Sequence, residues 1–235
     1  MRIPEPSSIR RAGLLGAIGG ALNIISGAVV QGIVQPASDV SDQMWSYPWS
    51  SDAYVAVSLV LAAMYVLVFI GVLGFARSGV AGPGRSARVG TLVALTGTAV
   101  LFAAQLLSIT VADQRLDDTG AGLVAACFGL GGVLSAIGFI AAGIATVRAR
   151  RWDGWRRYVP LAVGIWLVAL NVLVVTPALA TATAVYGLLL TAFGVALWTQ
   201  PTPSTPRPRS EAVQVRYKHI ELVPAGVFFL QIYHR

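Results

Sequence analysis

Three amide side chains, Asn23, Gln105 and Asn171, stand inside long apolar runs. In hydrocarbon each needs a hydrogen-bond partner. Facing one another they would line a pocket for a neutral or amphipathic ligand; facing neighbouring helices they would form interhelical hydrogen bonds of about 1 kcal/mol each. A second group is acidic. The segment QPASDVSDQMWSYPWSSD carries Asp39, Asp42 and Asp52 among Trp45, Tyr47 and Trp49, and a later segment carries Asp113, Asp117 and Asp118. Carboxylates bind hard cations, so Asp39, Asp42 and Asp113 would form a cation site if the two segments met. The acids follow no metal-loop spacing, however, and Trp and Tyr are the residues of an interfacial aromatic belt. The third group is basic. RARRWDGWRRY places Arg148, Arg150, Arg151, Arg156 and Arg157 around Trp152 and Trp155. Such a cluster attracts anionic lipid headgroups with about 1 kcal/mol per basic residue near the surface, and it also fixes topology.

The absences narrow the chemistry further. Between the basic and acidic segments the apolar runs contain no Asp, Glu, Lys, Arg or His, whereas proton relays, voltage sensors and Schiff-base sites need ionisable groups inside the membrane. His219 and His234 both lie in the tail, which removes intramembrane haem ligation by histidine. Cys127 is the only cysteine, so no intramolecular disulfide and no cysteine metal cluster is available. No phosphate loop, dinucleotide glycine fingerprint, zinc-helix motif or serine elbow occurs in a usable setting. No catalytic residue, metal or cofactor is therefore expected.

The elements that must position these residues follow from composition. Of 235 residues 56% are hydrophobic and 11% charged, less than half the charged fraction of an ordinary soluble domain. The apolar residues fall into six runs, 13–34, 53–75, 89–112, 120–147, 159–176 and 181–199, most of them near the ~20 residues that cross a bilayer. The first is longer than a signal-peptide core and reads as a retained helix. The connections then sort by sign. Residues 1–12, 76–88, 148–158 and 200–235 carry +2, +3, +4 and +3, and residues 35–52 and 113–119 carry −3 and −2. Arginine excess marks the cytoplasmic side, so the expected protein is multi-pass in the plasma membrane with both ends cytoplasmic. The net charge of +7 is thereby explained by topology, and nucleic acid is not an expected partner.

The fold class expected is thus all-α, a polytopic bundle of six transmembrane helices: 1–12 a cytoplasmic N-terminus, 13–199 the membrane domain, and 200–235 a Pro-rich linker and cytoplasmic tail. RRAGLLGAIGGAL at 10, ARVGTLVALTGTAV at 87 and RRYVPLAVGIWLVAL at 156 open alike, a pattern that three parallel helical hairpins would give; alternation of spans with basic loops gives a similar one. Gly16 with Gly20, Gly71 near Gly74, and Gly131 with Ser135 have the spacing of close helix packing, within one chain or across a homo-oligomer or partner interface. PTPSTPRPRS opens the tail as an extended linker, and residues 220–233 are too short and interrupted to cross a bilayer.

Sixteen of the seventeen basic residues are Arg, the spans are rich in Ala, Gly and Val, and the second begins SYPWSSDAYVAVSLVLAAMY. In these respects the membrane part resembles the uncharacterised small multi-pass membrane proteins of high-GC actinobacteria. That resemblance implies a bacterial membrane protein and no particular activity. The function expected is a non-enzymatic accessory or lipid-interacting bundle binding anionic lipids at its cytoplasmic face. The alternatives are a small transporter or channel for an uncharged or amphipathic solute and, third, a membrane enzyme acting on a lipid or isoprenoid.

Overall fold

The computed structural model describes residues 6–173 and 179–200. Residues 174–178, which include Pro177, and residues from 201 onward, which include the Pro-rich stretch and both histidines, lie outside the described residues. Six α-helices make up the rest: α1 Pro6–Val29, α2 Ser51–Ser78, α3 Arg85–Leu107, α4 Thr119–Ala149, α5 Val159–Leu173 and α6 Leu179–Trp198. All six helical segments are long and apolar enough to cross a membrane. α1 continues through a π-helical turn, Val30–Val34, and a 3-10 turn, Gln35–Ala37, while α3 ends in a 3-10 turn, Ser108–Val111.

Local signals set the helix ends. The Ser50 side chain accepts from the Ala53 amide and Asp52 sits in the first turn of α2, where a carboxylate complements the helix dipole. Gly79 ends that helix at φ 68°, a left-handed conformation that costs glycine little. The helices overrun the apolar runs because polar ends remain helical as they leave the hydrocarbon. Inside the spans, Thr91, Thr98, Thr146 and Thr191 each donate to the carbonyl four residues back. Their hydroxyls are thus satisfied within one helix and ask nothing of lipid.

Consecutive helices run antiparallel, so the arginine-bearing segments gather at one end and most of the aspartates at the other. The closest helix pairs are α3 with α4 and α1 with α6. Both are built on glycines seven residues apart: Gly90 and Gly97 against Gly131 and Gly138, and Gly13 and Gly20 against Gly187 and Gly194. A β-carbon on Gly90 would stand 2.6 Å from the Ala142 nitrogen, and one on Gly13 2.5 Å from the Trp198 nitrogen. Only bare backbone permits that approach. Between helices in lipid, such contact supplies the dispersion that stands in for the hydrophobic effect.

The internal repeat therefore differs from three hairpins. Sliding α1 onto α3 so that Gly13 meets Gly90 also superposes Ala17 on Ala94 and Gly20 on Gly97. Sliding α6 onto α4 matches Gly187 with Gly131, Thr191 with Ser135 and Gly194 with Gly138. What recurs is one glycine-lined helix pair, used twice. The chain makes it once from neighbours and once from its first and last spans. α5 lacks this pattern and instead seats Gly164 against the Ile140 backbone and receives Gly143 against Leu161.

Toward the arginine end the centre is filled by rings. Phe75 meets Phe193 edge-on at 5.2 Å, Phe139 meets Phe193 at 5.5 Å, and Trp152 lies 6.0 Å from Phe75. All four side chains are buried. Outward, Ile33, Leu92, Leu123 and Val172 are each more than 60% exposed. An apolar surface of this kind on every side belongs in lipid.

Candidate functional site

The arginine end is the largest concentration of charge among the described residues. Among the described residues Arg10, Arg11, Arg77, Arg85, Arg88, Arg148, Arg150, Arg151, Arg156 and Arg157 share it with one acid, Asp153. Among the described residues the only ion pair is at the opposite end, between Arg115 and Asp117. Among the described residues no carboxylate pairs with these guanidinium groups, and eight of the ten are exposed.

The segment between α4 and α5 shows how the cluster is held. Arg150 adopts φ 49° and its amide bonds the Thr146 carbonyl, ending α4. Arg151 then donates to the Gly79 carbonyl at 2.7 Å, strapping this segment to the α2–α3 turn. Arg157 donates to the Tyr158 hydroxyl at 2.7 Å and lies over that ring at 4.7 Å from its centre. Arg148, Arg150 and Arg156 have no side-chain partner among the described residues. Trp152, which stands among these arginines in the sequence, belongs to the core and is 3% exposed. Trp155 and Tyr158 carry the exposed aromatic surface there, where amphipathic rings suit the lipid interface. Arg10 adds a contact to the Trp198 carbonyl at 3.2 Å, fastening α1 to α6 at the same end.

The chain matches no protein-family model, no curated protein and no solved structure.

The acidic segments do meet. Met44 and Arg115 form an isolated antiparallel bridge, with Trp45 N bonded to Gln114 O at 2.9 Å and Leu116 N to Gln43 O at 2.8 Å. The centre of that junction is an arginine. The Arg115 side chain bonds Asp117 and Gln43, and its amide donates to Asp118. An open depression of about 360 Å³ is lined by Asp42, Gln43, Arg115, Leu116 and Asp117; Asp39 and Asp113 are exposed and lie outside that lining. Among the described residues no three His, Cys, Asp or Glu side chains are grouped to hold a metal ion. Arg115 sets a positive charge beside Asp117 and Asp118 at this junction.

The amides are engaged close to home. Asn23 donates to the Gly19 carbonyl at 2.9 Å and Asn171 to the Leu167 carbonyl at 2.7 Å, each one turn back in its own helix. Asn171 also fills the space over Gly132 of α4. Gln105 is buried and belongs to a chain of hydrogen bonds that sequence reasoning missed. Trp45 Nε1 donates to the Tyr54 hydroxyl at 3.0 Å, Tyr54 to Ser108 Oγ at 3.1 Å, and Ser108 to the Gln105 carbonyl at 2.7 Å. The Gln105 Nε2 approaches Ser108 Oγ at 3.4 Å. This chain ties the first acidic segment to α2 and α3. No two of the three amides are hydrogen-bonded to each other.

Proposed function

We propose that this protein is a non-enzymatic, lipid-interacting membrane bundle whose arginine end faces the cytoplasm and gathers anionic headgroups. One observation carries the reading: among the described residues ten arginines share one end with a single aspartate and without an ion pair, on a body whose sides are apolar all round. A surface of this charge in contact with a bilayer recruits phosphate-bearing lipids, with about 1 kcal/mol from each basic residue near the surface. In the segment between α4 and α5, Arg148, Arg150 and Arg156 have no side-chain partner among the described residues and are free to do so. Arg151 and Arg157 hold the segment in shape. The same asymmetry supports cytoplasmic termini, since arginine-rich connections are retained on that side.

Native mass spectrometry of the full chain, released from detergent with phosphatidylglycerol or phosphatidylcholine present, tests this reading. The account expects several phosphatidylglycerol molecules retained per chain and few phosphatidylcholine molecules. R148Q/R150Q/R156Q should lose the difference while keeping its melting temperature. Equal retention of the two lipids by the unaltered chain would refute it.

A further inference from the structure

The junction of the two acidic segments leaves two opposite charges in one depression that are not paired with each other. Asp42 and Arg115 both line the open space of about 360 Å³, together with Gln43, Leu116 and Asp117. Arg115 is pinned on two sides: its Nε donates to Asp117 at 3.2 Å and its Nη2 to the Gln43 side-chain oxygen. Among the described residues no hydrogen bond or ion pair engages its Nη1, and none engages the Asp42 carboxylate. A guanidinium held in this way cannot turn to Asp42 without giving up contacts it already has.

The lining decides what fits. A hard metal cation wants several oxygen ligands, and here it would meet the Arg115 charge and no grouped set of acids among the described residues. A simple anion would meet Asp42 and Asp117 beside the arginine. A molecule carrying both an ammonium and an anionic group answers the two unpaired charges at once. Its ammonium suits Asp42, and its oxygens suit the free N–H edge of Arg115, a planar donor matched to phosphate and carboxylate. Leu116, 54% exposed, adds an apolar wall. The depression also borders the start of α4 at Thr119, with Leu123 exposed one turn further along, so it adjoins the lipid-facing surface. Exposed charge pairs are individually weak in water, but a lipid head beside the protein is present at high effective concentration.

We infer that this depression is a seat for a zwitterionic head with a primary ammonium beside a phosphodiester, the pattern of an ethanolamine phospholipid. A trimethylammonium head has the same net charge but lacks the N–H donors that Asp42 would accept. The site is separate from the arginine end and stands whether or not that end gathers anionic lipid.

Native mass spectrometry of the full chain with phosphatidylethanolamine or phosphatidylcholine of identical acyl chains tests the site. Both lipids are neutral overall, so a failure of the arginine end to prefer anionic lipid leaves this comparison intact. The unaltered chain should favour phosphatidylethanolamine by roughly threefold, the worth of one exposed charge pair. Asp42→Asn should bring phosphatidylethanolamine down to the phosphatidylcholine level. Because Asp42 is exposed and has no partner among the described residues, its melting temperature should not change. Arg115→Gln should weaken both lipids by a similar factor, since both carry the phosphate, and Arg115→Lys should recover part of the loss. Millimolar glycerophosphoethanolamine separates the sources: displacement of the lipid marks a site open to the free head, and undiminished lipid marks one that needs the acyl chains. If the unaltered chain holds both lipids alike, or if Asp42→Asn keeps the preference, the inference is overturned.

Discussion

Substituting Gly138 by alanine tests how the bundle is held together. A β-carbon there would come 2.6 Å from Ala94 Cα and nearer still to the Ala94 nitrogen, where ordinary contact begins at 3.4 Å. Backbone cannot rotate aside as a side chain can, so α3 must retreat from α4 by about 1 Å. A gap of that size forfeits a quarter to a half of each dispersion contact across it, on the most extensive helix pair in the fold. Overpacking of this kind costs about 2 kcal/mol, a roughly thirtyfold fall in the folded-to-unfolded ratio. Gly129 lies on the same helix with nothing within 4 Å of its β-carbon position. Gly129→Ala should therefore be neutral or stabilising by up to about 1 kcal/mol through helix propensity. Unfolding of both variants in mixed micelles of rising dodecyl sulfate content, followed by circular dichroism, measures the difference. Equal stability of the two would refute the claim that glycine contacts hold the pair.

Three further outcomes follow. Trp152→Ala should destabilise the fold by about 3 kcal/mol, because it empties a buried site against Phe75, whereas Trp155→Ala should change thermal stability by less than about 0.5 kcal/mol. Tyr54→Phe should cost about 1–2 kcal/mol in the same unfolding assay, since Trp45 Nε1 loses its acceptor and Ser108 Oγ one of its two donors. Retention of phosphatidylglycerol by the unaltered chain should fall as salt rises from 0.05 to 0.5 M, as expected for exposed charge on a surface, with an order-of-magnitude screening length near 10 Å at 0.1 M; salt-independent retention would place the lipid in an apolar groove instead.

The six spans were legible because hydropathy records transfer into lipid, and each apolar run became a helix. Their ends were less so. α2 begins at Ser51 and continues through Arg77, where the apolar run stops at Phe75, because capping and solvated arginines extend a helix beyond its oily part. Helix neighbours could not be read from apolar character, since a face toward lipid and a face toward another helix are equally apolar. The glycine stripes carried that information. The likeness of α1 and α3 was visible in their opening residues, but the partner of α1 is the last span, which no local pattern announces. The place of Trp152 was not legible for a related reason: a tryptophan beside arginines reads the same whether it anchors at the interface or turns under into the core. The amides raised the question of a pocket, and Asn23 and Asn171 turn out to bond carbonyls of their own helices.

The central claim is that the arginine segments lie on one side of the membrane and the acidic segments on the other. Single-cysteine variants made in a Cys127→Ala background, Ser41→Cys and Asp153→Cys, can be labelled in intact cells with a membrane-impermeant maleimide. The account predicts that Ser41→Cys reacts in intact cells and Asp153→Cys only after permeabilisation. Labelling of Asp153→Cys from outside would contradict it.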